Sequence, residues 1–279
     1  MAEKILIPID INRENEDFLK YSKFFVEKWQ AEGILIHVVP DLLGGYIPYD
    51  VKLDELEKMF EELKAGVESV LKNLAERFGF TYAIETGSPY VKTVEFIQKN
   101  GVSLVIVNGG EPGKELGTQA YKIARKSPAP VLVYRRHEPE ISKILFTTDL
   151  SETADRAFPC ALKIKDKFGA KLTALHIVEP ITGYFDEGLV SGMPLLDIEN
   201  LKDTALNMMS SKFKEADEVV VEVMSPTGDA IIEYAESNGF DLIVMATHGR
   251  SALEKILLGS VTEKVVRFSK VPILVSRSL

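Results

Sequence analysis

Gly249 and Gly259, with nine residues between them and Ser260 directly after the second, are the residues of this 279-residue chain best suited to hold an anion. Glycine lets a backbone approach a ligand closely, and a helix start offers unpaired N–H groups together with the positive end of the helix dipole. The flanking sequence supplies those elements. LIVMA, Leu242 to Ala246, is a short apolar run of the kind that forms a buried parallel strand. Val261, Val265 and Phe268 recur at helical spacing, and Pro272 ends that helix and opens a second apolar run, ILV. Strand, glycine loop, helix and strand make one crossover unit. Ser260-x-x-Glu263 also reads as a capping box, worth about 1 kcal/mol, which is compatible with an anion at the same helix start.

A second candidate is Asp149, which closes the apolar run ILFTT. A carboxylate at a strand end accepts from an exocyclic base amine or a ribose hydroxyl. The alternative is an N-cap for the following helix, a role for which Ser151 competes.

The pattern Ala246-x2-Gly249-x9-Gly259-Ser260 resembles the nucleotide-binding signature of universal stress proteins, with Ala246 where that family usually has glycine. The surrounding strings ATHGRS and LLGSVTEKV fit the family closely. The resemblance implies an ATP-type ligand, ATP or AMP, often with Mg²⁺. It places Asp149 on the adenine and Ile177 against the base, and Thr147 stands where the family has proline. Met245, Ala246, Gly249, Arg250, Gly259, Ser260 and Val261 complete the implied nucleotide site. It also implies pairing through the last strand of each domain, residues 130–134 and 272–276, within one chain or in a homodimer. The function implied is a stress-response or signalling module that binds an adenine nucleotide.

Two other function classes stay open. A slow ATPase or a nucleotidyl-transfer enzyme needs a catalytic set beyond the cradle, and the chain has no Walker motif, no HIGH string and no SGGxDS-type loop. A GxGxxG fingerprint is also missing, which argues against a dinucleotide-dependent dehydrogenase. A nucleotide-free scaffold follows if Ala246 or Thr147 closes the pocket.

Composition narrows the class further. The chain is 46% hydrophobic and 27% charged, with no apolar run long enough to span a bilayer. The opening MAEKILIPID runs straight into a strand pattern without a secretory h-region, and a lone cysteine, Cys160, points to the cytoplasm. A net charge of −9 and a pI near 5.2 argue against nucleic-acid and anionic-membrane surfaces. Phosphate binding therefore has to come from local donors. His37 and His176 lie inside strand patterns and read as packed, hydrogen-bonded residues. His248 has no partner in sequence, no zinc spacing appears, and Cys160 reads as a buried structural thiol. Arg250, Lys255 and Lys264 are near enough to reach phosphates, with solvated surface charge as their default.

The elements that position these residues occur twice. ILIPID at Ile5 to Asp10 returns as ILFTTD at Ile144 to Asp149, and ILIHVVPD returns as LTALHIVEP, which brings His37 onto His176. TGSP at Thr86 matches TGDA at Thr227, and LVIV at Leu104 matches LIVM at Leu242. Leu116 to Arg136 lies over Leu258 to Ser278 without a gap, and nine of the 21 pairs are identical by direct count. This is a duplicated domain, with the join near His137 to Ser142. The expected architecture is two tandem doubly wound α/β domains, 1–138 and 139–279. Each is a mainly parallel five-stranded sheet with helices on both faces, Rossmann-like, with its ligand crevice at the carboxyl ends of the strands. In the first half Leu53, Leu56, Phe60, Leu63, Val67, Val70, Leu74 and Phe78 mark one face of a long helix. A shorter counterpart is expected near Leu201 to Phe213. The glycine-bearing loops 42–50 and 181–193 suggest no regular structure.

The halves part at one place. NGGEPGKE in the first half is four residues shorter than its counterpart, and Gly110 is only seven positions before Gly117. Glu111 and Glu115 also enter there. The expectation is a nucleotide in the second domain only.

Overall fold

The computed structural model describes residues 2–13, 16–41, 53–135, 140–179, 198–247 and 258–277. The loops 42–50 and 181–193 lie outside the described residues. The chain divides into two compact units, Met1–Pro139 and Glu140–Leu279.

The first unit runs β1 (Lys4–Pro8), α1 (Glu16–Trp29), β2 (Glu32–Val39), α2 (Leu53–Phe78), β3 (Thr81–Thr86), α3 (Pro89–Asn100), β4 (Leu104–Asn108), α4 (Thr118–Lys126) and β5 (Val131–Tyr134). Its strands are all parallel, in the order β3-β2-β1-β4-β5. The second unit runs β6 (Lys143–Thr147), α5 (Glu152–Asp155), α6 (Phe158–Phe168), β7 (Lys171–Val178), α7 (Ile198–Lys212), β8 (Glu218–Val223), α8 (Thr227–Ser237), β9 (Leu242–Ala246), α9 (Ser260–Phe268) and β10 (Ile273–Ser276). Its order, β8-β7-β6-β9-β10, is the same and again parallel. Both units are doubly wound α/β sheets with helices on both faces. In each the strand order reverses beside the first strand, which opens a crevice at its carboxyl end.

The apolar runs become the sheet cores because a strand covered on both faces has no solvent side. Ile5, Leu6 and Ile7 in β1, and Ile144, Leu145 and Phe146 in β6, are fully buried. In the second unit Phe146, Phe158 and Phe213 cluster with ring centroids 4.8–5.3 Å apart, locking α6 and the end of α7 onto the sheet. Aromatic pairs of this kind add about 0.5–1.5 kcal/mol beyond their burial. Among the described residues no helix is long and apolar enough to cross a membrane.

Two sequence expectations change. In α2 the buried face is Phe60, Val67, Leu71, Ala75 and Phe78, whereas Leu63 and Val70 are 44% and 43% exposed. At about 100° per residue these two fall some 60–80° to one side of the buried line, so the stripe is narrower than the apolar residues suggest. The match of TGSP to TGDA is also out of register. Thr86 ends β3, while Thr227 begins α8. The backbone aligns Gly87 with Met224, because their N–H groups bond the equivalent carbonyls of Val39 and Val178. In that register Pro89 aligns with Pro226 and Tyr90 with Thr227, so α3 begins at Pro89 and α8 one position later, at Thr227.

Candidate functional site

The carboxyl ends of β6, β7 and β9 meet the start of α9 around one cavity of about 240 Å³. Thr147, Asp149 and Ile177 line it from β6 and β7, and Met245 and Ala246 from β9. Gly259, Ser260 and Val261 close it from α9. Gly249 and Arg250 lie outside the described residues, as do His248 and Lys255. Residues not singled out in the sequence also line the cavity: Thr148, Ala154, Leu175, Thr227, Ile231 and Thr262. Leu175 was legible as the inward residue two places before Ile177. Thr227 and Ile231 were hidden by the misregistered TGDA match.

The start of α9 is held tightly. Gly259 is the N-cap residue, with φ −60° and ψ 151°. Its N–H donates to the Thr247 carbonyl at 2.8 Å, and its carbonyl accepts the first helical bond from Glu263 at 2.8 Å. The Thr262 hydroxyl donates to the Ala246 carbonyl at 2.9 Å, fixing the helix to the end of β9. The predicted capping box does not form. Ser260 is the first helical residue, not the cap, and Glu263 pairs with Arg267 at 3.0 Å. Because the N–H of Gly259 is already bonded, the donors without an intrahelical acceptor are those of Ser260, Val261 and Thr262. They stand at the positive end of the helix.

Asp149 sits in a turn that is equally constrained. Its Oδ1 accepts from the Ser151 N–H at 3.0 Å, and Ser151 is the N-cap of α5, accepting from the Ala154 N–H at 3.1 Å. Leu150 takes the left-handed conformation, φ 64°, with its N–H on the Thr148 hydroxyl at 2.9 Å. His176 anchors the same turn from β7, with Nδ1 2.8 Å from the Thr148 carbonyl. In the first unit His37 is placed identically, 2.9 Å from the Ile9 carbonyl. Both histidines are half-buried tethers, as their matched strand positions suggest. Lys264 is engaged elsewhere, paired with Asp229 at 3.1 Å. Burial pushes the Cys160 thiol up to about 11, so it stays protonated at neutral pH. Among the described residues there is no group of three or more His, Cys, Asp or Glu that could hold a metal ion.

The cavity thus joins an acceptor, Asp149, apolar walls from Leu175, Ile177, Ile231 and Met245, and the N–H donors at the start of α9. A model of the universal stress protein family matches residues 1–135 and again residues 140–277. The chain belongs to the universal stress protein family. It is a tandem, two-domain member. It is 33% identical over 153 residues to universal stress protein MJ0531 of Methanocaldococcus jannaschii, covering 51% of this chain and 86% of that protein. It is 22% identical over 292 residues to a universal stress protein of Mycolicibacterium smegmatis, covering 98% and 96%. Among solved structures, a universal stress protein from Archaeoglobus fulgidus superposes with a TM-score of 0.67 at 22% identity, covering 99% of this chain and 96% of that one.

The first universal stress protein domain keeps the helix start but not the loop before it. Gly117 caps α4 with φ −58° and ψ 143°, close to the values of Gly259. The shortened loop folds back on the sheet. Arg135 donates through Nη1 to the carbonyls of Gly109 at 2.6 Å and Lys114 at 3.1 Å. A Cβ on Gly109 would stand 2.4 Å from the Tyr134 carbonyl, so only glycine fits there. Burial lowers the Arg135 guanidinium to about 10, and it remains cationic at neutral pH. Glu111 is ion-paired with Lys114, so its charge is offset within the loop. Asp10, the counterpart of Asp149, accepts from the Asn12 N–H at 3.1 Å and pairs with Arg13 at 3.2 Å.

Proposed function

We propose that the second domain binds an adenine nucleotide, ATP or AMP, and that the protein acts as a nucleotide-responsive stress or signalling module. The observation that carries this reading is the cavity itself. An acceptor, Asp149, and the unbonded first-turn N–H groups of α9 line the same cavity. In this reading Asp149 accepts from the base or the ribose, and Ile177 and Met245 cover the base. The N–H groups of Ser260 and Val261 receive phosphate oxygens, each bond to a charged acceptor contributing about 1.5–3 kcal/mol. Gly249 and Arg250 belong to the same proposed site through the family signature. Mg²⁺ enters as an ion carried chiefly by the phosphates, as is usual for this ion.

The first domain is proposed to hold no triphosphate. Its loop is pinned by Arg135 against Gly109 and Lys114 and cannot follow a nine-residue path around phosphates. The test is calorimetry and thermal-shift measurement with ATP, AMP and GTP in the presence of Mg²⁺. Saturable binding of the adenine nucleotides, with GTP weaker, is expected. No heat and no shift with millimolar adenine nucleotide would refute the reading.

A further inference from the structure

Thr227 stands on the wall of the cavity at the first position of α8, one turn before Ile231, which lines the same wall. Both of its hydrogens go to one acceptor. Glu179 Oε1 accepts from the Thr227 N–H at 2.5 Å and also from the Thr227 hydroxyl. A hydroxyl has one proton and two lone pairs. With the proton given to a carboxylate, the oxygen can meet a ligand only as an acceptor, and donation to a charged partner makes it a better one.

The pairing is confined to the second domain. The backbone register matches Thr227 with Tyr90 and Glu179 with Pro40, so the first domain has neither the threonine hydroxyl nor the carboxylate at these places. A carboxylate that only capped the helix would need the N–H alone. The hydroxyl bond is what fixes the polarity of the cavity wall.

We propose that Thr227, oriented by Glu179, is a specificity residue that requires a hydrogen-bond donor on the ligand, namely a ribose hydroxyl or the exocyclic amine of the base. This rests on the nucleotide reading above and adds a contact to it. Asp149 also accepts, so a preference for donors alone does not identify Thr227; the variant does.

The test is a calorimetric titration of the full chain with ATP, 2′-deoxy-ATP, 3′-deoxy-ATP and inosine triphosphate, for the native protein and for Thr227→Val and Glu179→Ala. Valine preserves the shape and removes the acceptor. The native protein is expected to bind at least one of the three analogues about three- to tenfold more weakly than ATP. In Thr227→Val the ratio for that analogue falls toward one, and the analogue affected names the donor. In Glu179→Ala the freed hydroxyl can donate as well as accept, so the same ratio narrows. If the native protein binds ATP but treats all four nucleotides alike, or if Thr227→Val keeps the native ratios, the proposal is wrong and the nucleotide reading stands. If the native protein does not bind ATP, the nucleotide reading is itself refuted and this proposal with it.

Discussion

The Thr148 hydroxyl donates to Asp155 Oδ1 at 2.9 Å, and the same Asp155 carboxylate is ion-paired with Lys212 of α7. The hydroxyl also accepts from the Leu150 N–H. One side chain on a four-residue helix therefore holds the turn that presents Asp149 to the cavity. Asp155 keeps only 13% side-chain exposure, so its loss leaves the hydroxyl of the buried Thr148 without its acceptor. Asp155→Ala is expected to lower stability by about 1–3 kcal/mol and to weaken ATP binding several-fold by loosening Asp149. Urea denaturation and calorimetry check the two effects. An unchanged stability together with unchanged affinity would show that the turn is fixed from elsewhere.

Acid should weaken the second domain through two carboxylates. Hydrogen bonds from Thr227, side chain first and then backbone, lower the pKa of Glu179. The Leu172 N–H, at 2.7 Å, and then Lys165 lower that of Asp217. For a lowered carboxylate the stabilisation is complete above its unfolded value, about pH 4. It is lost as the pH falls through the lower folded value, because the unfolded chain takes up protons first. The stability gap between the native protein and Asp217→Asn should therefore be widest near neutral pH and close in acid. A gap that is constant with pH would contradict this assignment.

The two units end their first long helix in the same way, with one difference. Gln30 after α1 and Gly169 after α6 are both left-handed, φ 55° and 66°, and Ala31 and Ala170 send matched N–H bonds back to Val26 and Lys165. The second unit uses the residue suited to that conformation, and the first forces glutamine into it. Gln30 is exposed, so no packing is lost on its removal. Gln30→Gly is expected to stabilise the first unit by about 1 kcal/mol. A melting temperature below that of the native protein would count against it.

Much of the fold was legible because both halves spell out buried strands as unbroken apolar runs. The repeat of ILIPID, LVIV and the last helix then fixed their correspondence. The candidate site was legible where glycine spacing and a terminal aspartate mark it, at Asp149, Gly259 and Ser260. What escaped depended on register and competition. Ser260 and Glu263 have the residue types of a capping box, but the chain turns into helix one residue earlier and Arg267 takes the glutamate. TGSP and TGDA are alike in composition, yet ladder bonds to Val39 and Val178 set the register, and Thr227 moved into the cavity wall unseen. Leu63 and Val70 show that an apolar residue near the edge of a helical stripe need not be buried.

The central claim is that one domain of the pair, the second, holds the nucleotide. It is tested most directly by titrating ATP into the full chain, into Gly259→Val and into Gly117→Val. Both glycines have backbone angles that any residue adopts, and a Cβ on Gly117 meets nothing within 4 Å. Gly117→Val should therefore fold, and circular dichroism would check the fold of both variants. The account predicts about one ATP per chain, abolished or weakened at least about tenfold by Gly259→Val through lost phosphate bonds, and unchanged in Gly117→Val. Two equivalent sites per chain, or binding that survives Gly259→Val and disappears in Gly117→Val, would contradict it.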